Sequence, residues 1–226
     1  SLVSRRANGE PIAYILGKKG FHNIELLVGP GVLIPRPETE LLVEIALNEL
    51  AKHHEPCMVL DLGTGSGAIA LSIASAHPGA SLLATDQSKD ALHIAQQNAH
   101  SLNLSSRVQF AQGSWYEAIE PKRRFNIIVS NPPYIADQDP HLKQGDLRFE
   151  PISALSDHAG GLTCLETIIS EAPSYLMPGG LLAVEHGFDQ SEAVVELLRL
   201  ANFEHIQVHL DLAGHCPDSN FQYGNS

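Results

Sequence analysis

From Cys57 onward, short apolar runs alternate with segments of helical periodicity, and this alternation constrains the fold more than any other feature. The apolar runs predict six strands, over residues 58–62, 81–85, 108–111, 125–130, 181–185 and 205–212. The segments between them predict helices over residues 68–76, 89–100, 161–176 and 191–200, the third stopped by Pro178-Gly179-Gly180. Since strands that alternate with helices pair in parallel and are covered on both faces, the pattern predicts a doubly wound α/β domain.

The residues before Cys57 carry a different pattern. Two β-type runs, over residues 12–17 and 24–29, are punctuated by glycine and predict a small hairpin, followed by an extended segment at 32–35. A helix is predicted to follow as far as Leu50, with Thr39 as its N-cap. We therefore expect two units: residues 1–36, a linker with a hairpin, and residues 37–226, the α/β domain.

The charge balance disfavours nucleic acid as a partner. The chain of 226 residues has 14 Lys and Arg against 26 Asp and Glu, a formal net charge of −12. An acidic surface repels a phosphate backbone, and the densest basic cluster, Lys122-Arg123-Arg124, reads as a solvated loop. We expect no direct binding to nucleic acid.

Cysteine, histidine and apolar patterns exclude further classes. The 3 cysteines show no C-x-x-C spacing and the 12 histidines show no ligand spacing, so neither a disulfide framework nor a metal site is predicted. No apolar run has the length of a membrane span, and the first residues carry no apolar signal segment. These features predict a cytoplasmic protein without a membrane partner.

The first predicted strand leads into a glycine-rich loop. In a doubly wound sheet, ligands bind beyond the carboxyl ends of the strands. The loop reads Gly63-Thr64-Gly65-Ser66-Gly67, and its glycines allow a tight turn and the close approach of a ligand. Its spacing differs from the G-x-G-x-x-G of dinucleotide binders, and a turn without a ligand is the alternative.

The next two strand ends add an acidic and an aromatic residue. The carboxylate of Asp86 can accept hydrogen bonds from both hydroxyls of a ribose, although an Asp that caps the following helix is an alternative. Trp115 follows the third strand, where it can flank an adenine ring or serve in packing. With the glycine loop, these residues predict a cofactor that contains adenosine, without identifying it.

The fourth strand leads into Asn131-Pro132-Pro133-Tyr134. Two prolines cannot continue a sheet, so the chain is rigidly redirected while it displays an amide and an aromatic ring. The tetrapeptide resembles the motif of S-adenosylmethionine-dependent amino methyltransferases, which methylate planar NH₂ groups. If the Asn131 side-chain oxygen and the Pro132 carbonyl each accept one N–H, the nitrogen lone pair turns toward the methyl donor, and Tyr134 packs on the planar group.

The chain as a whole resembles the bacterial protein-(glutamine-N5) methyltransferases that modify the Gly-Gly-Gln glutamine of peptide-chain release factors. The resemblance is carried by residues 9–15, 32–40, 61–71, 128–135, 148–151, 179–180 and 185–187. The string Pro35-Arg36-Pro37-Glu38-Thr39-Glu40 discriminates best, because the related ribosomal-protein methyltransferases differ there.

The resemblance implies a fold, a cofactor and a partner. The fold is a mostly parallel seven-stranded sheet of the class I S-adenosylmethionine-dependent type, preceded by a small β-hairpin. S-adenosyl-L-methionine, whose product is S-adenosyl-L-homocysteine, is expected to contact Gly63, Thr64, Gly65, Ser66, Gly67, Asp86, Trp115 and Asn131. Asn131, Pro132, Pro133 and Tyr134 are expected to hold the glutamine, with Asn131, Pro132 and Tyr134 catalytic. The implied partner is a release factor, and a monomer is expected.

The sequence departs from this family at two places. The family usually begins with a small helical domain that helps to dock the release factor, and we expect that domain to be either absent or removed, because the matching residues begin near Arg5-Arg6. Residues 215–221 also depart from the family pattern, which leaves the register of the last strand open. Two other functions are considered: an adenine-N6 nucleic-acid methyltransferase, and a non-catalytic adapter that keeps the fold as a binding module.

Overall fold

The computed structural model describes residues 1–143, 145–210 and 220–225. Two short helices, α1 (Leu2–Ala7) and α2 (Ile12–Leu16), precede an antiparallel hairpin of β1 (Lys18–Phe21) and β2 (Ile24–Leu27). The remaining helices are α3 (Glu40–Leu50), α4 (Ala68–Ala76), α5 (Lys89–Ser101), α6 (Thr163–Glu171) and α7 (Ser191–Leu200). None of the described helices is long and apolar enough to cross a membrane.

Within the described residues, the main sheet has seven strands. They are β3 (Cys57–Leu62), β4 (Ala80–Asp86), β5 (Val108–Gln112), β6 (Phe125–Ser130), β7 (Leu176–His186), β8 (Glu204–Leu210) and β9 (Asn220–Asn225), in the spatial order β5-β4-β3-β6-β7-β9-β8. The first five strands in this order, β5-β4-β3-β6-β7, pair in parallel. Strand β9 is antiparallel to both of its neighbours, β7 and β8. The predicted doubly wound, mostly parallel sheet is confirmed. The order reverses between β3 and β6, which is the switch point where such sheets bind ligands.

Alternate residues of the central strands feed two separate cores. Val59 and Ile127 pack with α3, α4 and the β-hairpin on one face, whereas Leu60 and Ile128 pack with α6 and α7 on the other. All four side chains are fully buried, as expected for strands covered on both faces. The hairpin therefore shares a core with the first face of the sheet.

The predicted hairpin is confirmed, with its second strand observed as β2, but its first strand was predicted over the wrong residues. Residues 12–17 form α2 and its C-cap, and the hairpin begins only at Lys18. Pro11 stands at the N-cap of α2, and Gly17 ends the helix with a left-handed φ of 70°. These two punctuating residues, together with burial of Tyr14 beside Val32, outweigh the β-propensity of the segment.

The helix predicted over residues 161–176 is also shorter than expected. It runs from Thr163 to Glu171 and ends in a short turn that contains Pro173. Strand β7 starts at Leu176, so Pro178-Gly179-Gly180 lie inside the strand, where the pairing with β6 shifts register. Pro178, Gly179 and Gly180 therefore mark an irregular strand entry, not the end of a helix.

The last predicted strand is observed as β8, which begins at Glu204 and extends to Leu210. Residues 211–219 lie outside the described residues, and with them most of the segment whose register the sequence left open. The final strand β9 pairs with β7, with Leu181 opposite Asn225 and His186 opposite Asn220.

Candidate active site

The carboxyl ends of β3, β4, β6 and β7 open into two adjoining clefts. The first cleft is lined by Gly63, Thr64, Gly65, Ser66, Asp86, Trp115, Asn131 and Pro133, and also by residues 31–33, 35, 36, 151, 153 and 154. The second cleft is lined by Asn131, Pro132, Pro133, Tyr134, Glu185 and Gln190, among others. Asn131 and Pro133 line both clefts, so the two spaces meet at the start of the Asn-Pro-Pro-Tyr turn.

The glycine loop presents its backbone to the first cleft. Gly63, Gly65 and Gly67 have φ values of 71°, 56° and 85°, which glycine adopts readily. A Cβ at Gly65 would meet no atom within 4 Å, so this position faces open space. A Cβ at Gly67 would lie 2.8 Å from Leu71 Cδ1, and Gly67 is the N-cap of α4, outside the cleft lining. Gly65 is therefore suited to the approach of a ligand, and Gly67 to helix packing.

Asp86 supports the loop while it faces the first cleft. Its Oδ2 accepts the Gly65 N–H at 2.9 Å, and its Oδ1 accepts the Ser88 N–H at 2.8 Å. Ser88, not Asp86, caps helix α5, because its hydroxyl oxygen accepts the Ala91 N–H. Burial raises the pKa of Asp86. Since each carboxylate oxygen can accept a second hydrogen bond, Asp86 retains the capacity to bind two ribose hydroxyls.

Trp115 both packs and lines the first cleft. Its indole lies beside Gly63, where an added Cβ would come within 3.4 Å of Cζ3. Its backbone has a φ of 46°, an uncommon value for a residue with a side chain. The packing role of Trp115 is therefore observed, and its contact with an adenine ring stays a prediction.

A hydrogen-bonded chain joins the two ends of the Asn-Pro-Pro-Tyr turn. Asn131 Nδ2 donates to Thr39 Oγ1 at 3.0 Å, and the Thr39 hydroxyl donates to Glu185 Oε2 at 2.7 Å. The Tyr134 hydroxyl donates to the other oxygen of Glu185 at 3.0 Å. Thr39 is the N-cap residue of α3, as predicted, but its hydroxyl makes no capping hydrogen bond and donates to Glu185 instead.

Glu185 is the centre of this chain and is 1% exposed. Burial is the largest cause that raises its pKa, to about 7, and nearby Glu38 adds to the rise. Hydrogen bonds from Thr39 and Tyr134 and the positive charge of Arg36 act in the opposite direction. Above neutral pH, Glu185 is therefore a buried carboxylate whose two oxygens are each held by a hydroxyl.

The backbone of the turn is fixed by a glutamine from the segment after β7. Gln190 Nε2 donates to the carbonyls of Tyr134 at 2.9 Å and Gly161 at 3.1 Å, and Gln190 Oε1 accepts the Gly187 N–H at 2.8 Å. A Cβ at Gly161 would lie 2.5 Å from the Tyr134 carbonyl oxygen, so only glycine permits this approach. The turn is thus held by both its side chains and its main chain.

Beneath the glycine loop lies Asp61, which is fully buried. Its Oδ2 accepts the Thr64 hydroxyl at 2.6 Å and the Ala70 N–H at 3.2 Å, while its Oδ1 has no hydrogen-bond partner among the described residues. Burial raises the pKa of Asp61 to about 7. Its bond to Thr64 supports the loop from below.

An ion pair holds the segment that contains Arg36 beside the two clefts. Arg36 Nη2 donates to Glu150 Oε1, and Glu150 Oε2 accepts the Ile34 N–H at 2.9 Å. Glu150 is buried, so the segments around residues 34–36 and 150–154 are joined by a charged contact of low exposure. Arg36 lines both clefts.

The glycine loop, Asp86, Trp115 and the Asn-Pro-Pro-Tyr turn lie together at one end of the sheet, as the sequence predicts. The roles of Thr39, Asp61, Glu185 and Gln190 were not predicted. A signal existed for Glu185, because a carboxylate that ends an apolar strand is costly to bury without a partner. No local signal connects Glu185 with Thr39, which is 146 residues away in the chain.

Comparison with known proteins places this fold and site in a known class. Residues 37–146 match the family model described as the methyltransferase small domain. The chain also resembles the solved structure of a methyltransferase from Pyrococcus furiosus, with a TM-score of 0.64, 16% identity, and coverage of 99% of this chain and 96% of that one. It resembles the 16S rRNA N2 G1207 methyltransferase of T. thermophilus with a TM-score of 0.64, 20% identity, and coverage of 92% and 49%. These solved structures show a shared fold, and the family model describes residues 37–146 as a methyltransferase domain.

Curated relatives define the family more closely. The chain is 52% identical to the release factor glutamine methyltransferase of Bordetella pertussis, covering 94% of this chain and 78% of that protein. It is 50% identical to the enzyme of the same name from Burkholderia pseudomallei, with coverage of 94% and 76%, and 44% identical to that of Escherichia coli, with coverage of 93% and 75%. The chain belongs to the release factor glutamine methyltransferase family.

Proposed function

We propose that this protein transfers a methyl group from S-adenosyl-L-methionine to the side-chain amide nitrogen of the glutamine in the Gly-Gly-Gln motif of peptide-chain release factors. The observation that carries the proposal is the position of Asn131, which lies where the two clefts meet. Its amide nitrogen is bound to Thr39, so its oxygen is the atom available to an acceptor N–H. The family relatives bear the name of this reaction.

The first cleft suits S-adenosyl-L-methionine. Gly65 leaves open space for a ligand, Asp86 has spare acceptor capacity for ribose hydroxyls, and the Trp115 ring offers a flat apolar surface for adenine. When bound, this cofactor supplies an electrophilic methyl group on a sulfonium. We assign Gly63, Thr64, Gly65, Ser66, Asp86, Trp115 and Asn131 to cofactor contact, and Gly67 to the support of the loop.

The second cleft suits a glutamine side chain. The Asn131 side-chain oxygen and the Pro132 carbonyl are proposed to accept the two N–H bonds of the acceptor amide, while the Tyr134 ring packs against its plane. Such contacts fix the nitrogen in one orientation, and positioning of this kind lowers a barrier without a strong base. Pro133 keeps the turn rigid between the two clefts.

Methyl transfer to a purified release factor tests this proposal. We expect one added methyl group on the Gly-Gly-Gln glutamine by tandem mass spectrometry, and none on a release factor in which that glutamine is replaced by alanine. Asn131→Ala should lower kcat by about a hundredfold or more while S-adenosyl-L-methionine binding persists, because the acceptor amide loses its positioning contact. Absence of methylation by the wild-type protein would overturn the proposal.

Duplex DNA in the same assay tests the alternative of an adenine-N6 methyltransferase. The net charge of −12 opposes binding to a phosphate backbone, so we expect no transfer to DNA. The non-catalytic adapter is tested by the same reaction, since it would bind a release factor without modifying it. We further propose that the protein acts as a monomer in the cytoplasm, where peptide release takes place.

A further inference from the structure

The hydrogen bonds that connect Asn131, Thr39 and Glu185 all donate in the same direction, toward Glu185. Glu185 accepts at both oxygens, from Thr39 at 2.7 Å and from Tyr134 at 3.0 Å. Above neutral pH Glu185 is ionised and has no proton to donate, and a threonine hydroxyl has only one. The single Thr39 proton is therefore committed to Glu185, and the Thr39 oxygen is left as an acceptor.

This direction decides how the Asn131 amide is turned. The amide group lies 3.0 Å from Thr39 Oγ1, and only its NH₂ edge can donate to that oxygen. Its carbonyl edge is consequently turned away from Thr39. Thr39 is 4% exposed and Glu185 is 1% exposed, so both partners of the bond between them are buried.

We propose that Thr39, held by Glu185, is a positioning residue that sets which edge of the Asn131 amide faces the acceptor, and that it thereby makes the site select an amide over a carboxylate. An oxygen at this position accepts N–H from a glutamine and repels the carboxylate of a glutamate. Without the Thr39 hydroxyl, the amide is free to turn by half a rotation and to offer its NH₂ edge, which a carboxylate accepts. This inference rests on the proposed function.

Peptide affinity measures the selection directly, without turnover. Binding of Gly-Gly-Gln and Gly-Gly-Glu peptides is compared by calorimetry on the protein saturated with S-adenosyl-L-homocysteine. We expect the wild type to prefer the glutamine peptide by about tenfold or more, since a site built for a hydrogen-bonding group rejects a mismatched one. Thr39→Val, which keeps the side-chain volume, should reduce this preference to about threefold or less. Thr39→Ser, which restores the hydroxyl, should recover it.

Kinetics should separate this role from simple destabilisation. Thr39→Val should lower kcat on the glutamine peptide by about tenfold or more with a smaller change in KM, because the amide is misoriented in the bound state. Thr167→Val is the matched control: it makes the same substitution on α6, outside both clefts, where the hydroxyl donates only to the Thr163 carbonyl. It should leave both kcat and the preference for the glutamine peptide unchanged.

The outcomes are distinct. A folded Thr39→Val variant that keeps the wild-type preference for the glutamine peptide overturns the inference. A Thr39→Ser variant whose preference falls as far as that of Thr39→Val also overturns it. If Thr39→Val does not fold, Thr39→Ala removes the same hydroxyl and is judged by the same ratio. Failure of the wild type to methylate a release factor overturns the proposed function instead, and that result is read from a separate assay.

Discussion

Asp86 has two roles. Its carboxylate accepts the backbone N–H groups of Gly65 and Ser88, and it also lines the first cleft. We expect Asp86→Ala to weaken S-adenosyl-L-methionine binding by about 1.5–3 kcal/mol, roughly ten- to a hundredfold, because a charged acceptor of several hydrogen bonds is lost. Calorimetry on the folded variant measures this change. Glu192→Ala, at an exposed position of α7 outside both clefts, is the control.

Unchanged affinity in Asp86→Ala would mean that the ribose is held elsewhere. Tighter binding of NAD than of S-adenosyl-L-methionine by the wild type would overturn the assignment of the cofactor.

Two glycines of the same loop should respond differently to alanine. Both have positive φ, which costs an L-residue about 1–2 kcal/mol. Gly65→Ala adds a methyl group to open space in the first cleft, whereas Gly67→Ala places one 2.8 Å from Leu71 Cδ1. We expect Gly67→Ala to lower the unfolding midpoint more, and Gly65→Ala to weaken cofactor binding more. Thermal unfolding and calorimetry on both variants test the contrast, and the reverse order of effects would refute it.

At the scale of elements, Asn98 on α5 connects the hairpin to the glycine loop. Its Oδ1 accepts the Leu27 N–H at 2.7 Å, and its Nδ2 donates to the carbonyls of Leu27 at 3.0 Å and Ser66 at 2.9 Å. Asn98 is 1% exposed, so its replacement leaves buried backbone groups without partners. The hairpin thus supports the loop that the first cleft depends on.

We expect Asn98→Ala to destabilise the fold by about 2–4 kcal/mol, since several buried hydrogen bonds are lost together. This corresponds to a fall of about 5–15 °C in the unfolding midpoint of a domain of this size. Gln97→Ala, at the exposed neighbouring position on α5, serves as the control and should change the midpoint little. Equal midpoints for the two variants would contradict the connecting role of Asn98.

The elements that the sequence predicted well are those whose pattern is local. Strands β3, β4 and β6 are largely apolar because both faces of the sheet are covered, and such short apolar runs can be recognised from the sequence alone. Helix α2 was missed because its Pro11 and Gly17 boundaries matter more than its Ile and Tyr content. The entry to β7 was missed because its pairing with β6 tolerates a register shift that no local pattern shows.

In the candidate active site, too, the residues that could be predicted are those whose position depends on local sequence. Residues that directly follow strand ends, such as Asp86 and Asn131, could be predicted because the strand positions already place them at one edge of the sheet. The bond between Thr39 and Glu185 could not, because α3 and β7 meet only in the folded chain. The cap predicted for Thr39 had a sound local reason, but a buried carboxylate is the stronger competitor for its hydroxyl.

For the molecule as a whole, buried Asp61 links stability to pH. Its pKa is raised from 3.8 to about 7 by burial, so the folded protein binds this proton more tightly than the unfolded chain does. The resulting stabilisation is fully present below the unfolded pKa and is lost as pH rises through about 7. Asp61→Asn is neutral at every pH and does not show this loss.

We therefore expect the unfolding midpoint of Asp61→Asn, relative to the wild type, to be higher at about pH 8 than at about pH 4.5. Thermal unfolding of both proteins without cofactor, at the two pH values and equal ionic strength, measures the difference. Titrating groups that do not interact with Asp61 are common to both proteins and cancel in the comparison, whereas the charge of Asp86 contributes to the raised pKa of Asp61 and is part of the difference. A difference that does not change with pH would contradict the assignment of a raised pKa to Asp61.

The central claim is that the two clefts meet at Asn131 so that a cofactor in one faces a glutamine held in the other. A structure of the protein with S-adenosyl-L-homocysteine and a Gly-Gly-Gln peptide tests it most directly. We predict the cofactor between Gly65, Asp86 and Trp115, with the glutamine amide nitrogen within about 3.2 Å of both the Asn131 side-chain oxygen and the Pro132 carbonyl oxygen. A glutamine bound away from Asn131, or a cofactor bound outside the first cleft, would contradict the claim.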